Sequence, residues 1–298
     1  MRLREMVHVS RGVMRWFDAH NHLQDPRLGD PTRRLTEALA SGVEAMVVNG
    51  TGEGDWPAVL RLAQRFPEVI PAFGLHPWRV STRSPVWREV LEGCLVRCSR
   101  AGLGEAGLDG WILDQPADRC LELGTGPSGP APMEEQIAVL GAQLDLAEAR
   151  GLPVSLHCLR AWGPLLAVLR GRGLLPRGFL LHSYGGPAEL VAELVRLGGH
   201  FSLSGHSLHP RKAHQIGVFR AIPPDRWLVE TDALDQLPPA EWITHPAAAP
   251  GGRPVNCPAN LPRIAVGLAD RLGLPAEELA AWCEANGRRF FGWPVSGA

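Results

Sequence analysis

From Trp16 onward, the chain alternates short, nearly continuous apolar runs with longer segments in which apolar positions recur at helical spacing. That is the pattern of βα units, in which a strand is buried on both faces and the helix after it shows the sheet one apolar stripe. Eight runs read as strands: 16–22, 43–51, 69–76, 102–109, 152–158, 178–184, 200–205 and 227–233. Pro31 opens the first helix and Ser41 with Gly42 closes it; Pro132 opens a long one ending at Arg150 and Gly151. Two helical segments, 258–273 and 275–291, follow the last strand. Eight such units in roughly 250 residues predict an α/β fold, a single (β/α)8 barrel of TIM type with additional C-terminal helices. A doubly wound open sheet would carry a glycine-rich phosphate turn after its first strand, and none follows His22. The stretch 124–132 (GTGPSGPAP) reads as a loop between strand 4 and its helix. Residues 1–15 read as an N-terminal extension to a barrel over 16–298, of which residues 1–14 are expected to be dispensable, with Met14 a candidate start.

In such a barrel the C-terminal strand ends line the active site, so polar residues there carry more information than polar residues on helices. Strand 1 ends in Asp18, His20 and His22, strand 3 in His76, and strand 4 carries Glu105 and Asp109; strands 5, 6 and 8 end at His157, at His182 and at Glu230, Thr231 and Asp232. Imidazoles and carboxylates are ligands of divalent metals. His20 and His22 stand two apart, so on a strand they share a side and offer half a metal site. Glu105 and Asp232 follow apolar strands, where a buried carboxylate is costly unless a cation, or an arginine, holds it. His157 and His182 taken singly read as core or loop histidines; the set from five strand ends turns them into ligands. Six ligands, His20, His22, Glu105, His157, His182 and Asp232, are too many for one tetrahedral zinc and suit two cations about 3.5 to 4 Å apart bridged by a carboxylate.

Composition narrows the class without identifying the chemistry. With 45% hydrophobic and 20% charged residues the chain is neither disordered, collagenous nor a coiled coil. Thirty Lys plus Arg against 31 Asp plus Glu leave a formal charge of -1, so no overall field draws it to nucleic acid or an anionic membrane. The six cysteines form no CxxC pair and read as reduced thiols. The opening segment lacks the apolar run of a secretory signal, and no stretch reaches the ~18 apolar residues of a membrane span. A cytoplasmic protein with no membrane partner is therefore expected.

The segments FDAHNHL (17–23), GLHP (74–77), GEAGLD (104–109), PVSLH (153–157), LH (181–182), ETD (230–232) and Asn286 with Phe290 and Phe291 occur in an order that resembles the TatD family of metal-dependent hydrolases, among the amidohydrolase-like barrels. The resemblance covers nearly the whole chain from Trp16. It implies a TIM-type barrel, two divalent metal ions and hydrolysis of phosphoesters, with deoxyribonuclease activity and DNA as a substrate. Position by position, it puts one metal on His20, His22, Glu105 and Asp232 and the other on Glu105, His157 and His182, with Glu105 as the bridge. Asp232 would also take the proton of the attacking water, and Asp18 would orient a ligand from behind. The imidazole content suits zinc, while magnesium or manganese stays open because availability often decides.

The substrate-facing loops depart from that family. Arg160 stands one residue later than the arginine usual after strand 5. It is assigned with His76 to substrate binding, since a guanidinium suits bidentate phosphate contact, although a salt bridge or a helix cap would use it equally well. Trp78 and the residues after His182 replace common family residues, and Asn256 or Asn260 are further candidates to line the pocket. Two other readings stand beside the nuclease. An amidohydrolase would cleave a C–N or ester bond with the same metals, and lack of a phosphate-binding arginine near them would favour it. A non-catalytic protein-binding barrel would have no need of so costly a polar cluster.

Overall fold

The computed structural model describes residues 14–293. Eight strands, β1 (Trp16–Asn21), β2 (Val43–Asn49), β3 (Val69–Phe73), β4 (Gly102–Asp109), β5 (Val154–Leu159), β6 (Phe179–Leu181), β7 (Gly199–Ser204) and β8 (Trp227–Glu230), close into a parallel barrel in chain order. The seam between first and last is made by Asp18 pairing with Val229. Helices α1 (Pro31–Ala40), α2 (Trp56–Arg65) and α3 (Trp87–Val96) follow the first three strands. Next come α4 (Ala117–Leu123) and α5 (Met133–Arg150) after β4, then α6 (Trp162–Arg172), α7 (Val191–Arg196) and α8 (Ala213–Arg220), and finally α9 (Leu261–Leu272) and α10 (Ala276–Phe291).

Strand parity separates two cores. Phe17, Ala19, Val47, Ile70, Leu180 and Leu228 fill the barrel, where Phe290 and Phe291 of α10 join them. Their neighbours Trp16, Met46, Phe73, Phe179 and Val229 face the helices in the larger cluster. Phe291 stacks on Phe17 at 5.6 Å, so α10 plugs the end of the barrel where β1 begins and leaves the opposite end for polar residues. Each buried aromatic or large aliphatic side chain contributes about 1.5–3 kcal/mol by removal from water.

Three details differ from the expectation. The loop 124–132 is present, but the short helix α4 precedes it, so β4 is followed by two helices. The long connection after β8 contains a hairpin of β9 (Ala247–Ala248) and β10 (Pro254–Val255), whose two-residue strands are too short to show a period. Met14 already packs against the helix-facing core and Arg15 Nη1 donates to Glu44 Oε1 at 3.0 Å, so both touch the barrel. The rest of the expected extension lies outside the described residues. Among the described residues no helix is long and apolar enough to cross a membrane.

His200 on β7 lies against the Phe290 ring at 4.6 Å. Burial, reinforced by Arg226 and Arg289, pushes its imidazole down to about 3. A group depressed on folding contributes stability above its unfolded pKa of about 6.5 and loses it as pH falls toward the folded value, at up to about 1.4 kcal/mol per pH unit. His200→Leu should therefore gain on the wild type as pH falls from 6.5 to 4 in denaturant melts. Parallel curves would show that this histidine carries no acid sensitivity.

Candidate metal centre

The two histidines of β1 enter the barrel mouth across an irregularity. Phe17 and Ala19 point into the apolar interior, whereas His20 and His22 have the opposite parity; the β1–β2 register shifts between Asp18 and Asn21. Asp18, fully buried, accepts from Thr231 N at 2.9 Å and Thr231 Oγ1 at 2.6 Å. It thus backs the candidate ligands through the backbone, by tying the end of β1 to the segment between Glu230 and Asp232. Burial pushes this carboxyl up to about 7 against the two hydrogen bonds from Thr231.

Glu105 is the centre of the arrangement, and its two oxygens face different groups. Oε2 lies 3.4 Å from His20 Nε2 and 3.3 Å from His22 Nε2, which also face Asp232 Oδ1 at 3.7 and 3.6 Å. Oε1 lies 2.9 Å from His182 Nε2, 3.2 Å from His157 Nδ1 and 3.4 Å from His76 Nε2. The glycines of the neighbouring segments make this crowding possible. A Cβ on Gly74 would come within 2.6 Å of the Glu105 carbonyl oxygen, and one on Gly107 within 2.0 Å of that of His157. Only glycine lets the ends of β3, β4 and β5 approach so closely.

Contacts behind the imidazoles decide which nitrogen faces the centre. His22 Nδ1 donates to the Asn49 carbonyl at 2.8 Å, leaving the Nε2 lone pair inward. His157 Nε2 donates to Asp109 Oδ2 at 3.0 Å, leaving Nδ1 inward. His182 Nδ1 faces Glu230 Oε1 at 3.6 Å and turns Nε2 inward. His76 is different. Its Nδ1 accepts from Trp78 N at 3.2 Å, so the neutral ring carries its proton on Nε2 and is a donor toward Glu105 Oε1 or a substrate oxygen.

A metal fits this donor set. The inward nitrogens of His20 and His22 stand 3.3 Å apart and those of His157 and His182 3.4 Å apart. Two lone pairs at that distance repel unless a proton or cation lies between them. The sets His20, His22, Asp232 and His20, Glu105, His182 each bring one donor atom per residue within 4.8 Å of one another, as do His76, Glu105, His157 and His182, Glu230, Asp232. The electrostatics point the same way. Burial opposes charge on His22 and His157, yet the adjoining carboxylates, Glu105 foremost for His22 and Asp109 for His157, raise them to about 10 and about 9. Burial would raise Glu105, but His76, His182 and His20 hold it well below the usual carboxylate range. The pocket demands positive charge, which protons or cations supply.

The mouth is also where the backbone is strained. Among the described residues the non-glycine positions with positive φ are Arg160 (52°), Ser183 (47°), Asp232 (48°) and Gln236 (49°), after β5, β6 and β8. Ser183 Oγ donates to Gln236 Oε1 at 2.8 Å, joining two of these turns. Arg160 is not drawn into the cluster: its exposed guanidinium lies 3.4 Å from Asp114 Oδ2 on the rim. Asn256 and Asn260 do not line the mouth. They are buried, with Asn256 Nδ2 on the Thr231 carbonyl at 2.8 Å and Asn260 Oδ1 accepting from Thr244 N and His245 N, so their amides hold the β8–α9 connection together.

Two residues gain roles that their positions alone do not reveal. Glu230 is wholly buried and accepts from Ser202 Oγ while facing His182. Asp109 Oδ2 accepts from both His157 and Trp78 Nε1, the latter at 2.7 Å, and its Oδ1 accepts from Ile112 N at 3.0 Å. Asp109→Asn should lower metal affinity about 10–100-fold by freeing the His157 ring, with most activity restored at saturating metal. Metal titration followed calorimetrically checks it, and an unchanged affinity would remove Asp109 from that role.

A family model described as TatD related DNase matches residues 17–292. The uncharacterized metal-dependent hydrolase YjjV of Escherichia coli K12 is 30% identical over 271 residues, spanning 90% of this chain and 94% of that protein. The 3'-5' ssDNA/RNA exonuclease TatD of Klebsiella pneumoniae is 30% identical over 264 residues, 88% of this chain and 92% of that one. The crystal structure of YjjV superposes with a TM-score of 0.79 at 28% sequence identity, over 94% of this chain and 99% of its own. Matched from the first strand to the last helix, the chain belongs to the TatD-related DNase family and is a metal-dependent hydrolase.

Proposed function

We propose that this hydrolase cleaves phosphodiesters of single-stranded nucleic acid with two divalent cations that share Glu105. The observation that carries the reading is the division of the Glu105 oxygens, Oε2 toward His20 and His22 and Oε1 toward His157 and His182. His20, His22, Glu105 and Asp232 would hold one cation and Glu105, His157 and His182 the other. Zinc suits so many imidazoles; magnesium and manganese are the other candidates. When bound, such cations neutralise phosphoryl charge and make water acidic enough to attack near neutral pH. Asp232, beside His20 and His22, accepts the proton of that water, and the Nε2–H of His76 donates to a phosphoryl oxygen. Nucleic acid as substrate is supported by the named activity of the Klebsiella relative.

A second reading, hydrolysis of an amide or ester, is favoured by one observation: Arg160 pairs with Asp114 instead of standing over the cluster. One panel separates the two. The metal-stripped protein, reloaded with zinc, manganese or magnesium, is offered single-stranded DNA and RNA, a model phosphodiester, a phosphomonoester and simple amides. Turnover of the polymers supports the nuclease; turnover confined to amides or esters replaces it with the second reading.

A further inference from the structure

Two tryptophans stand at the barrel mouth without belonging to either core. Of the ten in the chain, eight pack into the two apolar clusters; Trp78 and Trp111 join neither. Trp78 instead lies against the imidazoles on the Oε1 side of Glu105, 5.0 Å from the His76 ring and 6.5 Å from that of His157. The bond from its Nε1 to Asp109 fixes the plane of the indole. Trp111 follows Asp109 by two residues, and its ring lies 6.2 Å from Trp78 with a tilt of 37°. The pair forms a gently angled aromatic surface, and both rings are only partly buried. Leu113, after β4, and Leu159, at the end of the neighbouring β5, are exposed at 39% and 40%. Large apolar surface left at the rim of a polar catalytic mouth marks a binding function.

We propose that Trp78 and Trp111 form a stacking platform for the nucleobase of the nucleotide whose phosphate lies at Glu105, and that this platform selects single-stranded polynucleotide among phosphoesters. The inference rests on the nuclease reading and deepens it. Every base presents a π face, so stacking tolerates any sequence, but it needs a base free of its own stack, which a single strand provides and a duplex interior does not. The chain also lacks the usual alternative source of affinity. Its formal charge is -1, and Arg160, after β5, faces Asp114. The platform abuts His76 and His157, so a nucleotide with its phosphate at Glu105 reaches the indoles with its own base.

The test uses the metal-loaded protein and two oligothymidylates of equal length, one ordinary and one whose 3′-terminal nucleotide is abasic. Anisotropy of a 5′ label reports binding, and release of the terminal nucleotide reports KM and kcat separately. Trp111, which touches none of the candidate ligands, is changed to alanine and to phenylalanine. Trp111→Ala should raise KM and Kd on the ordinary end about tenfold or more, the size expected of one base–aromatic stack, with little change in kcat. The abasic end should show that loss already in the wild type, and the two losses should not add. Trp111→Phe should recover most of the affinity. If alanine weakens both substrates equally, or neither, the platform is overturned while the nuclease stands. If the wild type degrades neither oligonucleotide with any of the three metals but turns over an amide, the nuclease reading has failed and takes the platform with it.

Discussion

Replacing Glu105 by glutamine is expected to leave the protein folded, strip it of metal and reduce hydrolysis at least about 10³-fold. The substitution keeps the shape of the side chain but turns one oxygen into an N–H₂ donor. Whichever way the amide lies, it turns N–H hydrogens in place of a carboxylate oxygen either to the His20 and His22 side or to the His76, His157 and His182 side, and an N–H₂ group cannot ligate a cation. Both halves of the centre lose a shared negative charge at once, and a contribution of several kcal/mol to transition-state stabilisation, at about 1.4 kcal/mol per factor of ten, sets the size of the effect. The fold should survive because Glu105 is stabilised by the histidines around it and by no residue of the apolar cores. Metal content by mass spectrometry, thermal melting and turnover on one preparation check the three parts. Two retained equivalents with wild-type turnover would remove Glu105 from the bridge.

The strands were legible because they are largely buried and read as apolar runs, and the candidate ligands because all but Glu105, which lies inside β4, stand at or near the end of such a run. The pair at His20 and His22 followed from spacing alone. What it hid was the register shift between Asp18 and Asn21, since the interior parity of Phe17 and Ala19 would have turned those histidines toward the helices. Asp109 could be seen in sequence as a polar strand end, but not as the acceptor shared by His157 and Trp78, because 48 and 31 positions separate the partners along the chain. Glu230 was masked in the same way by its place beside Asp232. Arg160 is a residue of the right type next to the right strand, and its exposed guanidinium faces Asp114 on the rim, a pairing that no sequence pattern announces. Asn256 and Asn260 had the chemistry to line a pocket and are consumed by a loop that no short-range pattern describes.

Asp232→Asn should abolish hydrolysis more completely than it loosens the metal or the fold. Asp232 sits at φ 48°, a conformation costly for most side chains but well tolerated by asparagine, so the substitution adds no backbone strain. Its Oδ1 faces His20 and His22 at 3.7 and 3.6 Å, and the amide oxygen of asparagine keeps one lone-pair donor in that place. What is lost is the ability to accept a proton. Removal of a general base costs about 10² to 10⁴ in rate, while the remaining histidines and Glu105 still offer donors enough to hold cations. The informative comparison is His182→Asn, which removes an imidazole 2.9 Å from Glu105 Oε1 and leaves Asp232 in place. That variant should lose metal first and recover activity when metal is raised. Asp232→Asn should keep its metal and recover nothing. Rate and metal content measured together on both proteins separate the roles. Near wild-type turnover by the Asp232 variant with its metal bound would show that another group takes the proton, and the assignment of Asp232 as base would be wrong even with the ligand set correct.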